Sequence, residues 1–168
     1  MKFRSIFAAV LMLCTISAAA QQSSRGPQYE FKTIKENPVT SIKNQSSSGT
    51  CWCFSALSFF ESEIMRAGGP ELDLSEMFVI SHAYADKAEK YVRLHGNLNF
   101  AGGSSFGDAL YVMKHYGMVP NVEMTGLNYG TDIHVHGELD AVTKAYVSAV
   151  IKNPNRKLST AWKNGFQG

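Results

Sequence analysis

One change in the spacing of apolar residues along the chain constrains its fold more than any other feature of the sequence. After a short extended stretch at 38–43 and a loop of small polar residues, apolar side chains recur at steps of four, three and four, as on one face of a helix. The pattern stops at a Gly-Gly-Pro sequence, which is a typical helix end. The sequence therefore predicts a buried core helix that begins at Cys51. Its buried stripe comprises Cys53, Leu57, Phe60 and Ile64.

Three further helices are predicted downstream of this one. The second follows Ser75, a favourable N-cap residue, and extends to about His95. The third starts with Ser105 and Asp108 at the spacing of a capping box. The fourth spans residues 138–152 and stops before a proline. The middle of the chain is therefore expected to be largely helical.

The 168 residues allow one domain with a real core, preceded by two segments of different composition. Residues 1–20 have a basic start, an apolar run and a small-residue end. This pattern is typical of a cleaved export signal, although a buried or interfacial helix is an alternative. Residues 21–37 are polar and suit an extended arm, and residues 38–168 form the domain. The protein is therefore expected to be exported to a periplasmic or extracellular location.

Charge and hydropathy exclude two kinds of partner. Removal of residues 1–20 takes away Lys2 and Arg4 and leaves 14 basic and 14 acidic residues. The mature chain then has no net positive charge that would favour binding to nucleic acid. No segment after residue 20 is long and apolar enough to span a membrane. The mature chain is expected to have neither a nucleic-acid partner nor a membrane span.

The two cysteines of the mature part, Cys51 and Cys53, do not suit a disulfide, because on one helix they diverge by about 200°. Cys51 lies at the predicted helix start, where unpaired amides and the helix dipole stabilise a thiolate. Gly49 allows backbone to approach a reacting carbonyl closely. The side-chain amide of Gln45 and the backbone N–H of Cys51 can stabilise an oxyanion. These residues suit a nucleophilic cysteine, and a thiol redox or metal site that uses both cysteines is an alternative.

The segment NQSSSGTCWCFS at 44–55 closely resembles the nucleophile region of papain-like cysteine peptidases, and the preceding VTSIKNQ is similar to the lead-in of that family. Within the superfamily, the chain is more similar to bleomycin hydrolases and bacterial aminopeptidase C than to papain and the cathepsins. Ser48 decides this, since the papain pattern has a disulfide-forming cysteine at that place. The matching positions are Gln45, Gly49, Cys51, Trp52, Phe54 and Ser55.

The resemblance continues through DLSEMF at 73–78 and FAGGSSFGDALYVMKHYGMVP at 100–120. It implies a substrate cleft that runs past a pair of glycines, one of which pairs through its backbone with the peptide as an added strand. The catalytic residues implied in this way are Cys51 and Gln45, and the substrate-binding residues are Gly102, Gly103 and Trp52.

The resemblance implies an α+β, papain-like fold, of which residues 38–120 match the largely helical half. In papain and the cathepsins a histidine and an asparagine follow the cysteine by about 130 to 150 residues, which lies past Gly168. The β-rich half that carries the catalytic histidine is therefore expected to be absent from this chain. Taken alone, the 168 residues are expected to be inactive or marginally stable, with an exposed apolar face. The family further implies a peptide substrate, no metal or organic cofactor, and hexamers for the full-length enzymes.

The histidines of the chain do not have the sequence context of the missing one. His134 and His136 alternate on a predicted strand, whereas His82, His95 and His115 lie on predicted helices. Each is interpreted as a surface or hydrogen-bonded side chain, since no further ligands cluster with them to form a metal site. The main hypothesis is an aminopeptidase-like cysteine peptidase, truncated and lacking its histidine and asparagine. The alternative is a catalytically inactive, peptide-binding or inhibitory papain-like protein.

Overall fold

The computed structural model describes residues 29–154 and 157–168. The chain divides into two units after Glu36. In the first unit, residues 29–36 have neither helix nor strand and are exposed to solvent. The predicted export signal at 1–20 lies outside the described residues, as does the first part of the predicted arm.

The second unit is mainly helical. Within the described residues it contains five α-helices, one short 3-10 helix at Asn121–Glu123, and no β structure beyond two isolated bridges. None of the helices described is long and apolar enough to cross a membrane. The α-helices are α1 (Cys51–Arg66), α2 (Glu76–Arg93), α3 (Phe106–Tyr116), α4 (Gly137–Ile151) and α5 (Ala161–Gln167).

Helix α2 lies at the centre of this unit and packs against the other four helices. The core is formed by the faces that these helices turn toward one another. Full burial of an aliphatic side chain contributes about 1.5 to 3 kcal/mol, so this shared core holds the helices together. The most deeply buried apolar side chains are Cys53, Ala56, Leu57, Val79, Ala88, Ala109, Val112 and Val147.

Helix α1 confirms the prediction made from the apolar stripe. It begins at Cys51, and the side chains of Cys53 and Leu57 are completely buried. Phe60 and Ile64 lie at the edge of the core and are half-buried. The helix ends just before the Gly-Gly-Pro sequence. The fourth predicted helix is also present, as α4.

Both predicted N-terminal caps are present. The hydroxyl of Ser75 accepts the backbone N–H of Phe78 at 3.0 Å, and the carboxylate of Asp108 accepts the backbone N–H of Ser105 at 3.1 Å. Helix α2 ends before the predicted limit at His95. The reason is that His95 adopts a left-handed φ of 51°, which lies outside the helical range.

The strand predicted around His134 and His136 is wrong, and a single backbone bridge takes its place. Ser47 donates its N–H to the carbonyl of His134 at 3.0 Å, and His136 donates its N–H to the carbonyl of Ser47 at 3.1 Å. Helix α4 begins immediately afterwards, at Gly137, so no longer ladder can form. Alternation over so few residues did not distinguish a strand from a bridge before a helix.

Helix α5 was not predicted. It has only seven residues, and helices of this length are unstable on their own. Tertiary contacts stabilise it: the hydroxyl of Tyr146 donates to the carbonyl of Trp162 at 2.9 Å. The ring of Phe166 also packs edge-on against that of Phe100, with 6.1 Å between their centroids.

Apolar surface is exposed on α1 and α3. The rings of Phe59, Phe60 and Phe106 form a cluster with centroids 5.1 to 5.7 Å apart. Phe59 is 51% exposed in spite of these contacts, and Leu110 on α3 is also exposed. Exposed apolar clusters are typical of interfaces, and the expectation of an apolar face left by an absent half of the fold stays a prediction.

Lys43 anchors the stretch 38–43 to α1 and α2. Its ammonium nitrogen lies 2.8 Å from a carboxylate oxygen of Glu61, 2.7 Å from one of Asp73 and 3.0 Å from one of Glu76. Burial opposes the ammonium charge, but the hydrogen bonds to the three carboxylates outweigh it and raise the pKa of Lys43. Lys43 is therefore charged at neutral pH and joins three segments of the chain.

Alkaline pH is expected to destabilise the fold, in part through Cys53. Burial raises the pKa of the Cys53 thiol above its ordinary value of 9.0. Above that pH the unfolded chain loses the thiol proton while the folded chain keeps it, so the free energy of unfolding falls as the pH rises. The Tm, followed by circular dichroism from neutral pH to about pH 11, should therefore decrease above about pH 9.

The variant Cys53→Ala isolates this effect. Its Tm at neutral pH should be lower, because the substitution leaves a small cavity, but its decrease above pH 9.0 should be shallower. Tyr84, whose pKa is raised by burial and by Asp140, would still contribute at higher pH. Equal decreases in the two proteins would contradict the role given to Cys53.

Candidate active site

Cys51 combines an exposed side chain with the first position of a helix. Its thiol is free, and it is the first residue of α1. The carbonyl of Thr50 accepts the N–H groups of Cys53 at 2.9 Å and Phe54 at 3.3 Å, which starts the helix. Within the described residues, the N–H of Cys51 itself is donated to no backbone acceptor. The helix start thus offers a thiol and a backbone donor at the positive end of the helix dipole.

The loop before Cys51 turns sharply at two positions. Ser46 and Gly49 have left-handed φ angles of 50° and 67°. The side chain of Asn44 accepts the N–H of Ser46 at 2.8 Å and stabilises the first turn. A Cβ at Gly49 would meet no atom within 4 Å, so glycine is favoured there by its backbone conformation and the space beside it is open.

The remaining side chains of this loop divide between the core and solvent. Ser48 and Thr50 are buried, and their hydroxyl groups hydrogen-bond to each other. Gln45 is half-buried. Its role as an oxyanion donor stays a prediction.

Trp52 joins the cysteine helix to the glycine pair. Its ring is 8% exposed, and its indole N–H donates to the carbonyl of Gly102 at 3.0 Å. The predicted contact of Trp52 with substrate stays a prediction, whereas its bond to Gly102 is present. Trp52 directly follows Cys51 in the chain. Its bond to Gly102 therefore places the glycine pair beside the first turn of the cysteine helix.

The two glycines differ in their surroundings. Gly102 is buried, and a Cβ there would lie 3.1 Å from the hydroxyl of Tyr84 and 3.3 Å from the carbonyl oxygen of Ser48. Gly103 is exposed, and a Cβ there would meet no atom within 4 Å. Gly102 is therefore packed against the cysteine loop, while Gly103 borders open space.

Two side chains of α2 support the glycine pair from behind. Lys87 donates to the carbonyl of Ala101 at 3.1 Å and also to that of Gly103. The hydroxyl of Tyr84 donates to Asp140 of α4. Lys87 thus fixes the backbone on both sides of Gly102, and the hydroxyl of Tyr84 lies close behind that glycine.

None of the histidines in the described residues forms a hydrogen bond with Cys51. The ring of His134 packs against that of Phe54, with 6.1 Å between the centroids, and lies 5.9 Å from the ring of His136. Burial lowers the pKa of both histidines, and His136 lowers that of His134 further. Both are therefore neutral at pH 7. No group of three or more metal-ligating side chains occurs in the part of the chain that the structure describes.

The structure thus brings Cys51, Trp52 and the glycine pair into one region. The thiol of Cys51 is exposed and lies at a helix start. It can attack the carbonyl group of a peptide that lies along the glycine pair, and the backbone N–H of Cys51 is a donor for the oxyanion that forms. The sequence did not point to Lys87 or Tyr84. Their separation of three residues places them on one face of α2, but no sequence signal showed that this face meets the glycine pair.

A family model described as papain family cysteine protease matches residues 27–153. This chain belongs to the papain family of cysteine proteases.

Individual relatives match shorter stretches. A viral cathepsin of Autographa californica nuclear polyhedrosis virus is 34% identical over 73 residues, which cover 44% of this chain and 22% of the viral protein. A cysteine proteinase of Trypanosoma brucei brucei is 27% identical over 124 residues, which cover 71% of this chain and 28% of that protein. The chain therefore spans only about a quarter of the length of these curated relatives. The similarities are to cathepsin-type and other cysteine proteinases.

Proposed function

We propose that this protein is a cysteine peptidase that cleaves peptide bonds near a free amino terminus, with Cys51 as its nucleophile. The observation that supports this most is the exposed, free thiol of Cys51 at the start of α1. The carbonyl of the buried Gly102 accepts the indole N–H of Trp52, the residue that follows Cys51. Membership of the papain family supplies the reaction class.

In the proposed reaction the thiolate of Cys51 attacks the carbonyl carbon of the scissile bond and forms a tetrahedral oxyanion. The backbone N–H of Cys51 and the side-chain amide of Gln45 stabilise the oxyanion, each donor being worth about 10² to 10³ in rate. The intermediate then expels the amine, which takes up a proton, and leaves a thioester on Cys51. Water hydrolyses the thioester, so the acid product leaves and the thiol is regenerated.

The proton transfers require a histidine held by an asparagine. The resemblance to the papain family puts both residues further along than residue 168, so we propose that turnover needs them. Residues 1–168 by themselves are then expected to bind and react with peptide electrophiles without sustained hydrolysis.

Two features support the aminopeptidase branch of the family as the finer assignment. Ser48 stands where the papain pattern has a disulfide-forming cysteine, and its buried hydroxyl is paired with Thr50. Ser47, Ser48 and Gly49 also reproduce the Ser-Ser-Gly sequence that the same branch has before its nucleophile. We therefore propose substrates with a free amino terminus, and a hexameric assembly for an enzyme of full family length.

Covalent labelling tests the nucleophile and the specificity together. The purified chain is treated with a peptidyl fluoromethyl ketone that has a free amino terminus, with its acetylated counterpart, and with iodoacetamide. We expect Cys51 to react faster with the free-amino probe than with the acetylated one, by about tenfold or more. Mass spectrometry of peptides locates the label, and Cys51→Ala should remove it because Cys53 is buried.

Each outcome of this experiment decides one point. Equal rates with the two peptidyl probes would reject the aminopeptidase branch, and peptidyl probes no better than iodoacetamide would reject peptide binding at Cys51. Sustained hydrolysis by residues 1–168, abolished in Cys51→Ala, would reject the requirement for a distant histidine.

The second candidate function, an inactive peptide-binding protein, predicts a different result. Because its peptide surface would not use the thiol, the affinity for an unreactive peptide should be the same in wild-type protein and in Cys51→Ser. Labelling of Cys51 should then show no dependence on the amino terminus of the probe.

A further inference from the structure

Lys87 lies where α2 meets the segment 101–103, and its contacts there are unusual for a surface lysine. The ammonium group donates to the carbonyls of Ala101 and Gly103, on either side of Gly102. The carbonyl of Gly102 itself accepts the indole N–H of Trp52. Three successive carbonyls are therefore bound by two side chains from different helices.

We propose that Lys87 is a positioning residue that presents the backbone at Gly102 and Gly103 as an edge for peptide substrate. This inference rests on the proposed function of Cys51. A short segment without helix or strand loses conformational freedom only when other groups fix it, and the carbonyl bonds from Lys87 do so on both sides of the glycine. The peptide can then pair along a backbone that is already in place.

The hydrogen-bonding groups left at this edge suit such pairing. Within the described residues the N–H of Gly103 is donated to no acceptor, although its carbonyl is taken by Lys87. Gly103 is exposed and borders open space. The edge therefore offers a backbone donor to a carbonyl group of an extended peptide.

Two aromatic rings lie beside Lys87 and favour the position of its ammonium group next to the segment 101–103. The ammonium nitrogen lies 6.0 Å from the ring centroid of Trp52 and 5.8 Å from that of Tyr84, within the range of cation–π attraction. The same Tyr84 hydroxyl faces Gly102. Lys87, Trp52 and Tyr84 thus form one support between α1, α2 and the glycine pair.

Removal of the charge at this position should leave the protein folded. Burial lowers the pKa of Lys87, opposed by Asp108 and Asp140, so the charged form carries a desolvation cost that a methionine would not carry. Methionine also keeps the apolar stem that packs on the rings. The variant Lys87→Met therefore removes the two carbonyl bonds with little change elsewhere.

The test measures the rate of Cys51 labelling by the free-amino peptidyl fluoromethyl ketone relative to the rate with iodoacetamide. Lys87→Met should lower this ratio by about tenfold, as expected for the loss of a charge-assisted hydrogen bond, with the iodoacetamide rate unchanged. Lys87→Arg, which can still donate to two carbonyls, should restore most of the ratio. The control Lys90→Met removes an equal charge from α2, at a lysine that lies over Tyr111, and should leave the ratio unchanged.

Hydrogen exchange provides a readout that does not depend on the thiol. The indole N–H of Trp52 donates to the carbonyl of Gly102, so it should exchange faster in Lys87→Met than in the wild-type protein and in Lys90→Met, while the backbone amides of α1 keep their wild-type rates. A normal ratio in Lys87→Met, or unchanged exchange of the Trp52 indole N–H, would overturn this inference alone. If the wild-type protein itself shows no preference for the peptidyl probe, the proposed function fails and the peptide-edge role of Lys87 fails with it.

Discussion

Replacement of Lys43 by methionine is expected to lower the free energy of unfolding by about 3 to 5 kcal/mol, the cost of removing one partner from a buried ion pair. The side chain of Glu61 is completely buried and that of Glu76 is 5% exposed. Without the ammonium group these two carboxylates would stay inside the fold with no cation beside them. The same change weakens the attachment of the stretch 38–43 that leads into the cysteine loop, which then contacts Glu61 only through the hydroxyl of Thr40.

Urea unfolding followed by circular dichroism measures this effect, and Arg93→Met is the matched control. Arg93 lies 3.7 Å from Glu89 on the surface of α2, with 77% of its side chain exposed. Exposed pairs of this kind contribute between about 0 and 1 kcal/mol. If Lys43→Met were no more destabilising than Arg93→Met, the ion cluster would not anchor the stretch 38–43 to the helices.

A methyl group at Gly102 is expected to lower peptidyl labelling of Cys51 by about 10- to 100-fold, the scale of a small displacement in an active site. A Cβ there would lie 3.3 Å from the backbone carbonyl oxygen of Ser48, which cannot rotate away as a side chain can. The segment must then move away from the cysteine loop. The bond from Trp52 to the Gly102 carbonyl, now 3.0 Å, would lengthen.

The variant Gly102→Ala is compared with Gly107→Ala, which adds the same methyl group in the first turn of α3. A Cβ at Gly107 would be 3.5 Å from the nearest atom, the hydroxyl of Ser105, an ordinary contact. Alanine favours a helix over glycine by about 1 kcal/mol, so this control should be at least as stable as the wild-type protein and label normally. Normal peptidyl labelling in Gly102→Ala would show that close packing at Gly102 does not position the peptide.

Local features of the sequence predicted the parts of the fold that depend on neighbours along the chain. The apolar stripe after Cys51 and the caps at Ser75 and Ser105 each involve residues within a few positions of one another, and all are present. The motif around Cys51 was sufficient to indicate the family that the family model then matched. The failures were short segments: the bridge at 134–136 and helix α5 are determined by what they pack against.

What the sequence determined by itself was therefore the nucleophile candidate, its helix and the protein family. Only the tertiary structure decided which distant groups surround that candidate. Trp52 and Gly102 are 50 positions apart, and Lys87 meets Gly103 only because α2 packs behind the glycine pair. Such contacts result from the packing of whole helices around a common core, and no local periodicity specifies which faces will meet.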